Sequence, residues 1–178
     1  MRSLRIIGVL MGLVALTAIP AKAQCTASGS PANCSQAGSV SMTAGRVVRL
    51  QMSAGSTSLT APTTTDFDAG FNSTTGPTLT VSANAAWTLS IRASSAVWTA
   101  TNTTTGVVAR TNKPAGDLKW STSSGGLFTA LSGTDASLVT GSATASNATT
   151  LYFQTLYNWS LDTPGNYSLS VVLTLTSP

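Results

Sequence analysis

The chain has 178 residues, enough for one ordinary domain. It contains no histidine and no glutamate, and only 8% of its residues are charged. Histidine and glutamate are the usual proton carriers near neutral pH, so this composition excludes His-ligated metal sites and any catalytic triad that contains histidine. The sequence therefore predicts a protein that is not an enzyme and that needs no cofactor.

The first 23 residues have the pattern of a secretory signal peptide. Arg2 and Arg5 form a basic start, residues 6–19 are apolar, and residues 21–23 (Ala-Lys-Ala) form a small-x-small cleavage site. Cleavage there leaves Gln24 as the first mature residue, and an uncleaved anchor helix is the alternative. The short signal is typical of bacteria, so we expect a secreted, periplasmic or cell-surface protein.

Removal of this segment changes the charge balance. The mature chain keeps six basic residues against five Asp, a net charge of +1, and none of the basic residues form a cluster. Without a basic patch we expect no nucleic-acid partner and no electrostatic binding to a membrane. Since no second long apolar stretch follows, we also expect no transmembrane segment after cleavage.

Two cysteines remain near the mature N-terminus. Cys25 and Cys34 are predicted to form a disulfide, because export to an oxidising compartment makes pairing the default. Residues 24–38 then form a disulfide-tied leader in front of the main domain, which we expect to span residues 39–178.

The main domain shows period-two alternation of apolar and polar residues instead of a helical period. The alternation at Trp87, Leu89 and Ile91, and again along the last strand, places one face of each strand in a core. We predict an all-β fold, an antiparallel two-sheet sandwich of immunoglobulin-like type, with a closed barrel as the alternative. The predicted core consists of Trp87, Leu89, Ile91, Trp120, Trp159, Tyr167, Leu169, Val171 and Leu173.

Few residues are candidates for chemistry or ligand binding. Trp98 has no clear partner in the strand pattern, so it is the best candidate for an exposed aromatic that could stack on a sugar. Asp66 and Asp68 form the only close carboxylate pair, a weak candidate for calcium or for glycosidase chemistry, but an ordinary polar turn explains them better. Residues 163–166 (Thr-Pro-Gly-Asn) predict a type II turn with Gly165 at positive φ.

Residues 162–176, which contain a Gly-x-Tyr strand, resemble the terminal strand of secreted bacterial immunoglobulin-like domains of the spore coat protein U and chaperone–usher pilin type. This resemblance implies an incomplete sandwich that a donor strand from the next subunit completes, with residues 39–52 as the donor segment to test. Residues 87–89 (Trp-Thr-Leu) and 159–161 (Trp-Ser-Leu) resemble the paired motifs of WxL cell-surface domains, which associate with peptidoglycan.

The residues themselves favour a role at a surface. The final strand carries no charge and no internal proline from Tyr167 to Thr176, so either it is central in its sheet or its edge pairs with a partner. We expect a secreted bacterial structural or adhesive protein, of fimbrial type, that binds other surface proteins or itself. A module that binds cell-wall glycan or other carbohydrate is the alternative, and a secreted hydrolase is the remote one.

Overall fold

The computed structural model describes residues 25–178, and the predicted signal peptide lies outside the described residues. The described chain divides into two compact units, of which the first ends at residue 43 and the second spans residues 44–178. Residues 25–43 contain no helix or strand, and they hold the predicted disulfide between Cys25 and Cys34, whose Cα atoms are 5.9 Å apart. Within residues 25–178, none of the helices has the length and apolar character needed to cross a membrane.

The second unit is built mainly from strands, with one short α-helix and a turn of 3-10 helix at Ala115–Asp117. In chain order the elements are β1 (Val48–Met52), α1 (Thr64–Ala69), β2 (Phe71–Ala83), β3 (Trp87–Ala93), β4 (Thr99–Thr101), β5 (Leu118–Ser121), β6 (Thr129–Ala130), β7 (Ala136–Gly141), β8 (Thr144–Leu156), β9 (Asn166–Ser168) and β10 (Val171–Thr176).

The strands form antiparallel sheets around a shared core, which confirms the predicted all-β sandwich. One sheet has the order β1-β2-β8-β5-β6, a second has the order β10-β3-β7, and β4 pairs with β9. Alternate residues of β2 and β8 meet alternate residues of β3 in a single buried cluster. The strand pattern of the sequence therefore reports correctly which face of each of these strands is buried.

Most of the predicted core residues are in the core. Trp87, Leu89, Ile91 and Trp120 are buried, and four residues from the C-terminal strands pack against them while remaining partly exposed: Tyr167, Leu169, Val171 and Leu173. The prediction for Trp159 is wrong, because its side chain is 60% exposed. Strand β8 ends at Leu156 and a turn follows, so the alternation that the sequence shows as far as Trp159 does not describe a strand beyond Leu156.

The C-terminal segment is two strands, not one. β9 pairs with β4, the chain bends at Leu169 and Ser170, and β10 then pairs with β3. Among the described residues β3 is the only strand that pairs with β10, so β10 forms an edge of its sheet. The expectation of a central strand is therefore wrong for β10, and pairing of its edge with a partner stays a prediction.

Gly165 is needed for a reason different from the predicted one. Positive φ values in the described chain occur at Gly29, Gly70 and Gly106 and not at Gly165, so the predicted type II turn is wrong. Instead, a Cβ atom at Gly165 would lie 2.5 Å from the Cβ of Ala109 and 3.1 Å from the carbonyl oxygen of Thr101. Glycine allows two segments of backbone to approach closely here.

We therefore expect Gly165→Ala to lower the free energy of unfolding by about 1–3 kcal/mol, the usual cost of overpacking. The matched control is Gly133→Ala, because a Cβ at Gly133 meets nothing within 4 Å and its φ is not positive. Urea denaturation followed by tryptophan fluorescence measures both. Equal stability of the two variants would contradict this explanation of Gly165.

Candidate interaction surfaces

The first candidate site is a groove along the edge strand β10, which we call the edge groove. It has a volume of about 650 Å³ and is lined by the end of β1, the following residues 54–59, and residues 167–171 and 173 of the C-terminal strands. Its floor is formed by core side chains: Trp98, Leu118, Leu151 and Phe153. The groove therefore opens directly onto the hydrophobic core.

The edge groove lies where both sheets have an edge. β1 is the outermost strand of the five-stranded sheet, β10 is an outermost strand of the three-stranded sheet, and the two approach each other. Val171 and Leu173 line the groove and are only partly buried, although they pack against the core. An uncharged, apolar edge of this kind is a template for pairing with a further strand.

The segment before β1 has no helix or strand and carries exposed apolar side chains. Val40 is fully exposed and Met42 is 87% exposed, and both lie in residues 25–43. Because Val40 and Met42 are two residues apart, their side chains share one face whenever the segment is extended. Ser39, Ser41 and Thr43 then take the other face. The resemblance placed the donor segment at residues 39–52, but residues 48–52 form β1 and already pair with β2.

Asn84 fixes the direction in which the chain enters β1. Its side chain accepts a hydrogen bond from the Val47 N–H at 2.8 Å and donates one to the Gly45 carbonyl at 2.8 Å, and its backbone N–H donates to the Val47 carbonyl. Residues 45–47 thus continue along the line of β1 past its Val48 end. The edge groove is at the other end, where Met52 contributes to its lining.

The second candidate site is a cleft with aromatic walls, which we call the aromatic cleft. It has a volume of about 640 Å³, and its lining includes Phe67, Tyr157 and Trp159. The rings of Phe67 and Trp159 are stacked with their centroids 4.6 Å apart, and those of Phe67 and Tyr157 are 5.4 Å apart.

Helix α1 positions Phe67, and the predicted polar turn at this place is wrong. Thr63 and Asp66 form a capping box, in which the Asp66 carboxylate accepts from the Thr63 N–H at 2.7 Å and the Thr63 hydroxyl accepts from the Asp66 N–H. This pattern starts a helix, and Gly70, in the left-handed conformation, ends it. The hydrogen bond from the Thr63 N–H holds the pKa of Asp66 below its ordinary value.

A tight turn after β8 positions Trp159. The Asn158 side chain accepts from the Ser160 N–H at 2.9 Å, and the Asn158 carbonyl accepts from the Leu161 and Asp162 N–H groups. The indole N–H of Trp159 donates to the Asp68 carboxylate at 3.1 Å. The ring is therefore held by a hydrogen bond and by the stack with Phe67, although most of its surface faces solvent.

The two acidic candidates thus have local structural roles: Asp66 caps α1 and Asp68 holds Trp159. Among residues 25–178 there is no group of three or more His, Cys, Asp or Glu side chains arranged to hold a metal ion.

The prediction that Trp98 is the exposed aromatic is wrong. Its side chain is 5% exposed, and its indole N–H donates to the Pro114 carbonyl at 3.1 Å. The backbone of Trp98 also donates to the Lys113 carbonyl. This pairing with residues 113–114 turns the ring into the core, and a partner so distant in sequence gives no signal in the local strand pattern.

A network of four charged side chains, of which Lys113 is buried and the other three are partly buried, lies beneath the aromatic cleft. The Lys113 ammonium is 3.0 Å from Asp162 and 3.3 Å from Asp117, and the Arg110 guanidinium is 3.0 Å from Asp162 and 3.4 Å from Asp117. Lys113 also donates to the Leu156 carbonyl at 2.7 Å. Two cations and two carboxylates balance, as buried charges require.

Tyr157 packs against this network and also lines the cleft. The Lys113 ammonium is 5.4 Å from the centre of its ring, within the range of a cation–π contact. Burial raises the pKa of the Tyr157 hydroxyl above its ordinary value, and the negative charges of Asp66 and Asp162 add to this effect. The hydroxyl is thus neutral, and able to donate a hydrogen bond, throughout the physiological pH range.

Sequence reasoning missed the aromatic cleft and the charge network. Arg110, Lys113 and Asp117 are close in sequence, but nothing local shows that Asp162 completes their network. In the sequence, Phe67 and Tyr157 fit ordinary buried apolar positions as well as they fit the wall of a cleft. The mature chain has few charged residues, yet three of them, Arg110, Lys113 and Asp117, lie within eight residues of one another. This concentration of charge was the one signal available in the sequence.

Comparison with known proteins does not assign the chain to a family: no protein-family model matches it, and no curated protein matches it.

Proposed function

We propose that the chain is an exported structural or adhesive subunit of fimbrial type, which assembles when a segment of one copy adds as a strand to the edge groove of another. The observation that carries this proposal is the free edge of β10, apolar and uncharged, beside a groove that opens onto the core. Strand addition supplies main-chain hydrogen bonds to such an edge and side chains to such a groove. Export rests on the predicted signal peptide.

The occupant we propose is residues 39–43 of a second copy. Val40 and Met42 would enter the groove from one face of the added strand, where they would lose their full exposure to water. Ser39, Ser41 and Thr43, on the other face of the added strand, would remain outside. A five-residue strand spans roughly 17 Å, comparable with the six residues of β10.

The direction of residues 45–47 favours a second copy over the same one. Asn84 holds these residues extended away from the end of β1 that borders the groove. To fill its own groove, the chain would have to break these hydrogen bonds and reverse. The resemblance of residues 162–176 to pilin strands supports the same proposal.

The test compares two double variants of the full chain. Val40→Lys/Met42→Lys places two charges on the face that would enter the groove, whereas Ser39→Lys/Ser41→Lys adds the same charge to the opposite face. Because burying an unpaired ammonium is costly, we expect the first variant to stay monomeric and the second to assemble like the unmodified chain. Negative-stain microscopy and SDS-resistant oligomers on gels report assembly.

Two results would overturn the proposal. The unmodified chain could remain a monodisperse monomer across a wide concentration range, or the Val40→Lys/Met42→Lys variant could assemble as well as the Ser39→Lys/Ser41→Lys variant.

A further inference from the structure

A second binding function is suggested by the exposed tryptophan. Soluble proteins bury most of each tryptophan, because its large apolar surface is costly to hydrate. Trp159 is 60% exposed, yet its orientation is fixed by the hydrogen bond to Asp68 and by the stack on Phe67. A rigid aromatic surface facing solvent loses little conformational entropy on binding, so it is suited to contact a ligand.

We propose that the aromatic cleft binds a neutral glycan of β-linked pyranose rings, with one ring stacked on Trp159. In a pyranose with equatorial hydroxyls the ring faces present C–H groups, which are attracted to the negative face of an indole. The cleft volume of about 640 Å³ lies within the usual range for small-ligand sites.

The remainder of the lining supplies polar partners for hydroxyl groups. Asn166 lines the cleft and is exposed, so its amide can both donate and accept hydrogen bonds, whereas the Thr163 hydroxyl, which already donates to the Val108 carbonyl at 2.7 Å, can still accept one. Asp68 is exposed, so its carboxylate can accept from a sugar hydroxyl while it holds the indole. A purely apolar ligand would leave the Asn166 amide without a hydrogen-bond partner.

The charged side chains at the cleft favour a neutral ligand. Lys113 lines the cleft but is only 3% exposed, and its ammonium is already bonded to Leu156, Asp162 and Asp117. It is therefore not available to pair with a carboxylate or phosphate. The exposed carboxylate of Asp68, which is bonded to the Trp159 indole, would repel an anionic sugar stacked on that ring.

The experiment is calorimetric titration of the full chain with chitohexaose and with cellohexaose, which differ in the N-acetyl group. We expect heat of binding with at least one of them, and affinity weakened about tenfold or more by Trp159→Ala. Leu127→Ala is the matched control, since Leu127 is a highly exposed apolar residue that does not line the cleft. This variant should bind as the unmodified chain does.

The comparison of the two sugars identifies the class of glycan that the cleft binds. Preference for chitohexaose indicates an N-acetylated glycan such as that of a cell wall. The proposal is overturned if neither oligosaccharide binds at millimolar concentration, or if Trp159→Ala binds unchanged. Binding of a proline-rich peptide instead, lost in Trp159→Ala, would also overturn it and would assign the cleft to peptides. None of these results depends on assembly through the edge groove.

Discussion

Replacing Asp162 with alanine is expected to lower the free energy of unfolding by about 3 kcal/mol or more. The Asp162 carboxylate is 6% exposed and lies 3.0 Å from both Lys113 and Arg110. Its removal leaves these two cations to share Asp117 alone, with Lys113 still buried. It also removes the acceptor for the Asn158 N–H, which is part of the turn that carries Trp159. Urea denaturation measures the loss.

The control for this prediction is Asp135→Ala. Asp135 pairs with Arg92 at 3.6 Å, but both side chains are well exposed, so solvent screens the pair and its loss should cost less than about 1 kcal/mol. If Asp162→Ala were as stable as Asp135→Ala, the network beneath the cleft would contribute no more than a surface ion pair, contrary to our account.

Trp87→Ala is expected to cost about 3–5 kcal/mol, the usual range for truncation of a buried aromatic. Trp87 begins β3, is among the most buried side chains, and donates its indole N–H to the Ser142 carbonyl at 2.9 Å. Truncation leaves a cavity between the sheets and an unpaired carbonyl. The melting temperature and urea midpoint should both fall strongly.

Trp159→Ala is the matched control, because the same substitution removes a side chain that is mostly in solvent. We expect it to cost about 1 kcal/mol or less, through the loss of the stack with Phe67 and the bond to Asp68. A larger loss in Trp159→Ala than in Trp87→Ala would reverse our assignment of core and surface.

The fold class and most of the core could be predicted because alternation is a local property. Trp87, Leu89 and Ile91 alternate with polar residues, and a strand that alternates in this way has one buried face whatever its partners are. The pairing of Cys25 with Cys34 was equally accessible, because the predicted signal peptide implies an oxidising compartment and the sequence contains no other cysteine.

The remaining sites depend on contacts between distant segments. Trp98 is buried because residues 113–114 pair with it, and Trp159 is exposed because Asn158 ends the strand pattern two residues after Leu156. The capping box at Thr63 and Asp66 was visible in the sequence, but Asp66 was considered only with Asp68 and interpreted as part of a polar turn. That β10 is an edge follows only from the order of the strands. The immunoglobulin-like type of the sandwich stays a prediction.

The central claim is that the β10 edge accepts a strand from another copy. Amide hydrogen exchange of residues 171–176 tests it most directly, because half of these N–H groups pair with β3 and the others face the open edge. We predict that the outward amides exchange more slowly as the concentration of the full chain rises, and that Val40→Lys/Met42→Lys removes this protection. Oligomers that form while the exchange of residues 171–176 stays the same as in the monomer would contradict the account.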